Sequence, residues 1–226
     1  MSDKSNIWYF EETDLYEILC PHKSPHLETK HHPNVYKKDE FIYFPDEQAS
    51  NIYMVANGRI KIGAYTSDGK EIVKSILSRG EIFGEMALTG EEKRNDYAQA
   101  MDSGTRVCPM TVDDLQALMK DNKELSFKIF KIIGLRFKRL ERRIESLVFK
   151  DARTRIVEFL KEMAVDKGQK VGFETMIKNH LTHKDIASLT GTSRQTVTTV
   201  MNELREDNVI NFDRRRILIR DIEKLV

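Results

Sequence analysis

The chain has 226 residues, of which 40% are hydrophobic and 32% are charged, and this supply of core-forming side chains excludes a mainly disordered protein. No run approaches the roughly 18 consecutive apolar residues of a membrane span, and two cysteines cannot form a disulfide framework, so we expect a cytoplasmic protein without membrane contact. Residues 1–121 carry 14 basic and 21 acidic residues, a net charge of −7, whereas residues 122–226 carry 23 basic and 15 acidic residues, a net charge of +8. The positive charge of the second part favours binding to a polyanion such as DNA.

Short apolar segments alternate with turn sequences in the first half of the chain. Tight hairpins need positive φ angles, which Asn57-Gly58 and Asp68-Gly69 provide. Short strands at regular spacing with such turns predict an all-β sandwich, barrel or jelly roll. The predicted strands are residues 41–44, 52–55, 59–62, 72–77, 98–101 and 105–110.

The apolar pattern changes to a helical period after residue 112. Apolar residues recur at steps of three and four from Leu125 to Val148, which predicts one helix of about 27 residues and about 40 Å. Such a helix either packs on the β domain or joins two chains as a coiled coil. Its apolar side chains form a narrow stripe along one side, which favours the homodimer. The stripe residues assigned to the dimer interface are Ile129, Ile133, Phe137, Leu140, Ile144 and Leu147.

A domain boundary is predicted near residue 150. Asp151 is a good N-cap for a helix whose apolar residues include Ile156 and Leu160, and residues 166–170 are predicted to form a loop. The predicted parts of the chain are therefore a β domain at 1–121, a dimerisation helix at 122–150 and a compact module at 151–226.

Residues 182–205 have the pattern of a helix-turn-helix. A short helix spans 183–189, Gly191 provides the turn, and Thr192 or Ser193 caps a second helix that starts at Arg194. Exposed residues at the start of that helix are types that read base edges, such as arginine for guanine and glutamine for adenine. The predicted DNA contacts are Thr182, Ser193, Arg194, Gln195, Thr198 and Thr199.

A β-hairpin wing is predicted after the second helix. Residues 209–212 and 217–219 would pair, and the basic tip between them assigns Arg214, Arg215 and Arg216 to the DNA backbone. The alternative is a helical hairpin with a solvated polar face. An arginine at the helix start together with a basic wing favours DNA binding.

From about residue 41 to its end, the chain resembles the CRP/FNR family of bacterial transcription regulators. Residues 82–88 are similar to the family's phosphate-cassette motif, and residues 192–197 are similar to its recognition helix. The resemblance implies an α+β fold with an N-terminal cyclic-nucleotide-binding-type β-roll (a jelly roll), a long dimerisation helix and a C-terminal winged helix-turn-helix. It also implies a homodimeric transcription regulator, with near-palindromic double-stranded DNA and RNA polymerase as partners.

The resemblance further implies an effector site in the roll. Glu85 stands where the family has a ribose-binding glutamate, and Arg94 stands where it has a phosphate-binding arginine. The implied pocket residues are Gly84, Glu85, Met86, Ala87, Leu88, Arg94, Asn95, Leu140 and Glu141.

Two departures from the family pattern predict an effector other than cyclic AMP. Asp96 lies two residues after Arg94, where its charge would repel a phosphate. An ungapped alignment of the long helix places Leu140 and Glu141 where hydroxyl residues reach the adenine. The alternatives are a cyclic-AMP-dependent regulator, or a structural ion pair between Glu85 and Arg94 in an empty roll.

Other features of the sequence indicate neither a metal site nor an enzyme. The Cys/His-rich segment around residues 20–32 matches no zinc module and is interpreted as a flexible polar segment. No nucleophile–base arrangement or P-loop has a sensible context, so no cofactor and no catalysis are predicted. A second hypothesis is a ligand-sensing module that acts on a protein partner, and a steep salt dependence of DNA affinity would separate it from the first.

Overall fold

The order of strands and helices along the chain follows the changing spacing of its apolar residues. The computed structural model describes residues 33–121, 123–178, 181–213 and 215–225. The N-terminal strands are β1 (Asn34–Tyr36), β2 (Phe41–Tyr43), β3 (Asn51–Asn57), β4 (Ile60–Tyr65), β5 (Glu71–Leu77), β6 (Ile82–Phe83), β7 (Tyr97–Ala100) and β8 (Thr105–Thr111), with a 3₁₀ turn at Glu85–Thr89. The later elements are α1 (Val112–Asp121), α2 (Lys123–Phe149), α3 (Ala152–Lys167), β9 (Gly168–Val171), β10 (Glu174–Lys178), α4 (His183–Thr190), α5 (Arg194–Glu206), β11 (Ile210–Phe212) and β12 (Arg216–Ile219).

The first eight strands form two antiparallel sheets, ordered β1-β8-β3-β6 and β2-β7-β4-β5. One buried cluster joins Val55 and Phe83 of the first sheet to Tyr43 and Ile60 of the second. The two sheets therefore pack on each other through these inward-facing side chains. This arrangement confirms the predicted β-roll.

A second cluster lies on the opposite face of β3. Successive side chains of a strand point to opposite faces, so Ile52 and Met54 face away from Val55. They pack with Leu115 of α1 and with Ile129 of α2, which is 9% exposed. Ile129 was assigned to the dimer stripe, but within one chain it already belongs to this core.

The C-terminal part combines three helices with a four-stranded antiparallel sheet ordered β11-β12-β10-β9. Asp151 caps α3, and its side chain accepts a hydrogen bond from the Thr154 amide at 2.8 Å. The predicted loop at 166–170 is wrong, because Gly168–Val171 forms β9 and pairs with β10. The polar residues Gln169 and Lys170 are exposed on this edge strand, so they carry no apolar alternation that would reveal it.

The described residues group into two compact units, one that ends at Lys138 and one that begins at Arg139. The division falls within α2. The boundaries predicted at 121/122 and 150/151 stay predictions. Among the described residues, no helix is long and apolar enough to cross a membrane.

Candidate DNA-binding surface and effector site

Local capping builds the helix-turn-helix. The Thr182 hydroxyl accepts a hydrogen bond from the Asp185 amide at 3.2 Å, and the Asp185 carboxylate accepts one from the Thr182 amide at 2.8 Å. This capping box starts α4. Gly191 ends α4 at φ 62°, and a Cβ there would lie 2.5 Å from a methyl carbon of Leu147. The positive φ favours glycine at this turn, and the end of the Leu147 side chain packs closely against it.

The recognition helix α5 presents the predicted base-reading residues to solvent. Ser193 is its N-cap, and its hydroxyl accepts from the Thr196 amide at 2.9 Å. Arg194, Gln195 and Thr199 are exposed, whereas Val197 and Val200 face the core. Because Ser193 and Thr182 both hold helix N-termini, the side chains best placed for base edges are those of Arg194, Gln195 and Thr199.

Thr198 is half-buried and hydrogen-bonded on both sides. Its hydroxyl donates to the Arg194 carbonyl at 2.9 Å and lies 2.9 Å from Nδ1 of His183. The His183 ring also lies against Phe212 of β11, with ring centroids 5.9 Å apart. Sequence reasoning missed His183, because only the fold brings the first residue of α4 to this junction with the recognition helix and the wing.

The wing is formed by β11 and β12, and Asp213 orders its turn. Its carboxylate accepts hydrogen bonds from the amides of Arg215 and Arg216 and from Nε of Arg216 at 2.8 Å. The backbone hydrogen bond from Arg215 is the main reason that the pKa of Asp213 is lowered. Arg215 and Arg216 are exposed at this tip, and Arg214 lies outside the described residues.

Two arginines support the end of α4. Arg143 of α2 donates to the Ser188 carbonyl at 3.4 Å, and burial lowers its pKa. Arg155 of α3 donates to the carbonyls of Thr190 at 2.8 Å and Gly191 at 3.0 Å. These cations satisfy carbonyls that a helix C-terminus leaves without a partner, so they hold the first helix of the motif in place.

In the roll, Arg94 is buried and reaches the phosphate-cassette-like turn. Its Nη1 donates to the Gly84 carbonyl at 2.9 Å and its Nη2 donates to the Asn51 carbonyl. The guanidinium lies over the Tyr43 ring at 4.6 Å and the Tyr53 ring at 5.6 Å from their centroids. Its terminal nitrogens thus meet backbone carbonyls and not the Glu85 carboxylate, while its Nε has no hydrogen-bond partner within the described part of the chain.

The charge of Asp96 is balanced beside this site. Its carboxylate lies 3.2 Å from Nζ of Lys74 and accepts a hydrogen bond from the Tyr43 hydroxyl at 3.2 Å. Burial raises the pKa of Tyr43, which keeps that hydroxyl protonated as a donor. The sequence argument treated Asp96 as an uncompensated charge, and the Lys74 contact weakens the repulsion it predicted.

The remaining predicted pocket residues differ in their burial. Ala87 packs in the second core cluster with Ile52 and Met54, while Leu88 and Asn95 are exposed. Glu85 and Met86 are half-buried in the 3₁₀ turn. Leu140 and Glu141 are exposed on α2, in the other compact unit.

Apolar side chains on α2 form an exposed seam. Phe130, Ile133, Phe137, Leu140, Ile144 and Leu147 follow one another at steps of three and four and are 44% to 66% exposed. This alternation has the 3.5-residue average of a coiled coil. Phe130 was missed because Ile129 beside it is also apolar, and periodicity alone did not show which of the two faces the core.

Among the described residues, no group of three or more histidine, cysteine or acidic side chains could hold a metal ion. The Cys/His-rich segment formed by Cys20, His22, His26, His31 and His32 lies outside the described residues.

Comparison with known families matches the two structural parts separately. The cyclic nucleotide-binding domain family matches residues 33–122, and the Crp-like helix-turn-helix domain family matches residues 154–226. The first range contains both sheets of the roll, and the second contains α4, α5 and the wing.

Known proteins are similar over most of the chain. The CRP-like cAMP-activated global transcriptional regulator of Mycobacterium tuberculosis is 25% identical over 193 residues, which cover 85% of this chain and 86% of that protein. The global nitrogen regulator of a Nostoc strain is 26% identical over 185 residues, 81% of this chain and 83% of that protein. The solved structure of a CooA mutant from Carboxydothermus hydrogenoformans has a TM-score of 0.78 and 27% identity, and the match covers 95% of this chain and 94% of that one.

Proposed function

Because the chain belongs to the CRP/FNR family of DNA-binding transcription regulators, we propose that it works in the cytoplasm as a homodimer on near-palindromic double-stranded DNA. RNA polymerase is the further partner that a regulator of transcription requires. Arg194, Gln195 and Thr199 read base edges in the major groove. The wing tip at Arg215 and Arg216 holds the phosphate backbone.

One observation carries this assignment of residues. The exposed side chains of Arg194, Gln195 and Thr199 lie at the N-terminal end of a helix that Ser193 caps and that packs on α4. A recognition helix contacts base edges with its N-terminal residues while the first helix crosses the backbone. An arginine fork fits guanine, and a glutamine amide fits adenine.

The exposed seam on α2 supports the dimer. A single chain leaves six large apolar side chains in contact with water along one line of the helix, and a second copy of the helix would cover them. Two recognition helices related by a two-fold axis then enter successive major grooves about 34 Å apart.

DNA binding by the purified protein is expected to weaken steeply with salt. If each dimer neutralises about six phosphates, affinity should fall by about 10³ between 50 and 200 mM salt, because counterions are released on binding. Fluorescence anisotropy with a labelled duplex measures this slope. Affinity that stays flat over this range, or no binding at the lower salt concentration, would favour a module that acts on a protein partner.

The effector of the roll is proposed to be a small ligand other than cyclic AMP. Both terminal nitrogens of Arg94 already donate to backbone carbonyls, and aromatic rings pack against its guanidinium. Leu140 has no hydroxyl for an adenine. Nε of Arg94, which has no hydrogen-bond partner among the described residues, supports an anionic group on the effector, because a buried cation gains from a nearby negative charge.

Neither cyclic AMP nor cyclic GMP is expected to shift the thermal unfolding of the protein. A ligand at about 100 times its Kd would stabilise the folded state by about 2.7 kcal/mol, which is readily measured. The control variant is Glu85→Gln. Arg94→Ala would be unsuitable, because Arg94 donates hydrogen bonds to two backbone carbonyls of the roll itself. Stabilisation by either nucleotide that disappears in Glu85→Gln would identify a cyclic-nucleotide receptor and refute the proposal.

A further inference from the structure

His183 lies at a junction of three elements of the DNA-binding unit. It is the first residue of α4, its Nδ1 lies 2.9 Å from the Thr198 hydroxyl of the recognition helix, and its ring packs near Phe212 of the wing strand β11. His183 is half-buried. None of the DNA contacts proposed above uses it.

The hydrogen bonds of Thr198 determine which ring nitrogen of His183 carries its proton. A hydroxyl has one proton to donate, and that of Thr198 goes to the Arg194 carbonyl at 2.9 Å. The contact at 2.9 Å with His183 therefore has Nδ1–H as its donor. In the neutral ring Nε2 is then an unprotonated acceptor, and in the cation it becomes a second donor. Titration changes Nε2 and leaves the bond to Thr198 in place.

All three elements at this junction carry charged groups. The recognition helix carries Arg194 near its start and Arg205, whose guanidinium lies over the Phe212 ring at 5.0 Å. On α4 the neighbours are Lys184 and Asp185, whose carboxylate belongs to the capping box. At the wing tip Asp213 is engaged with Arg215 and Arg216. Most of these groups are basic, and the charge of Arg194 opposes a positive charge on His183 in the free protein.

The pKa of His183 is lowered by burial and, to a smaller extent, by the charge of Arg194. The free protein near neutral pH therefore holds the ring mostly neutral. A DNA phosphate beside the ring would bring a negative charge next to it, and it would raise the pKa of His183 in the complex.

We propose that His183 is a further DNA-contacting residue, which binds a backbone phosphate through Nε2–H as imidazolium and makes DNA affinity rise as the pH falls. The proposal rests on the proposed function, since it uses the same DNA-binding surface. Each chain takes up a proton on binding DNA. Linkage then gives an affinity gain of up to about tenfold per chain for each unit by which the pH falls. This gain applies between the raised pKa of His183 in the complex and its lowered pKa in the free protein.

The matched test variant is His183→Asn. The asparagine Nδ2–H group is placed like the histidine Nδ1–H and keeps a donor for the Thr198 hydroxyl, but it does not titrate. The companion His183→Ala removes both functions. The remaining histidines, His22, His26, His31, His32 and His180, are present in all three proteins, so their titration cancels in the comparison.

The experiment measures the Kd of the full-length protein for DNA at low salt between pH 5.5 and 8. The probe is a mixed-sequence duplex of about 30 bp, because phosphate contacts do not depend on sequence. We expect the parent to bind more tightly as pH falls, and His183→Asn to match it at pH 8 and to lose at least about fivefold relative to it at pH 6. His183→Ala should bind more weakly at every pH. Identical pH profiles for the parent and His183→Asn, with a steep salt dependence in both, would overturn this inference alone. Failure of the parent to bind at any pH would overturn the proposed function with it.

Discussion

Arg194→Ala is expected to abolish sequence-specific DNA binding while thermal unfolding and dimerisation stay as in the parent. Arg194 is the first residue of α5 and its side chain is exposed, so its loss leaves no cavity. The N-cap is also untouched, because Ser193 bonds the Thr196 amide. A bidentate arginine–guanine contact contributes about 1–3 kcal/mol of discrimination, and a dimer makes two. The specific affinity should therefore fall by about 30-fold to 10⁴-fold.

Arg194→Lys is the matched control for this prediction. Lysine keeps the positive charge but lacks the planar fork that fits guanine. It should retain binding to mixed-sequence DNA and its salt dependence, yet lose most of the preference for the specific site. Competition anisotropy with specific and mixed duplexes measures both quantities. Equal specific affinity for the parent and Arg194→Ala would mean that another residue reads the site.

Phe137→Lys is expected to convert the dimer into monomers without unfolding either compact unit. Phe137 lies in the middle of the exposed seam between Ile133 and Leu140 and is 62% exposed in the single chain. In a dimer the seam becomes buried, where an unpaired ammonium costs several kcal/mol and the buried area of phenylalanine is lost as well. We expect dimerisation to weaken by at least about 100-fold, and specific DNA binding to weaken with it.

Phe149→Lys provides the control for the seam. Phe149 is 82% exposed on the same helix but lies two positions beyond Leu147, off the line of alternating steps. The Phe149→Lys variant should therefore stay dimeric. Sedimentation velocity at micromolar concentration distinguishes the two variants. A dimeric Phe137→Lys protein, or equal dissociation of both variants, would place the interface elsewhere.

The parts of the fold that depend on local patterns could be predicted from the sequence. Short apolar segments predicted most strands of the roll, Asp68-Gly69 predicted the hairpin of β4 and β5, and steps of three and four predicted α2. The hairpin predicted at Asn57-Gly58 is wrong, because this turn joins β3 to β4, which belong to different sheets. Gly191 marked the turn of the DNA-binding motif because its backbone has a positive φ that few other residues adopt. Strand β9 was missed because an exposed edge strand carries polar residues without alternation.

The parts that depend on contacts between distant segments could not be predicted. Lys74 lies 22 residues before Asp96, so only the folded sheet shows that the two charges meet. Ile129 and Phe130 are adjacent and both apolar, and the packing of α1 and α2 on β3 decides which one is buried. His183 looks like an ordinary polar residue at a helix start until the fold places it against Thr198 and Phe212.

Selection of binding sites from a random duplex library by the full-length protein tests the central claim most directly. A homodimer with one recognition helix per chain predicts enrichment of an inverted repeat whose half-sites lie one helical turn apart, about 10 base pairs from centre to centre. The parent should select a guanine in each half-site, and this preference should disappear when the library is screened with Arg194→Ala. Enrichment of no motif, or of a single site without two-fold symmetry, would contradict the account of a dimeric sequence-specific regulator.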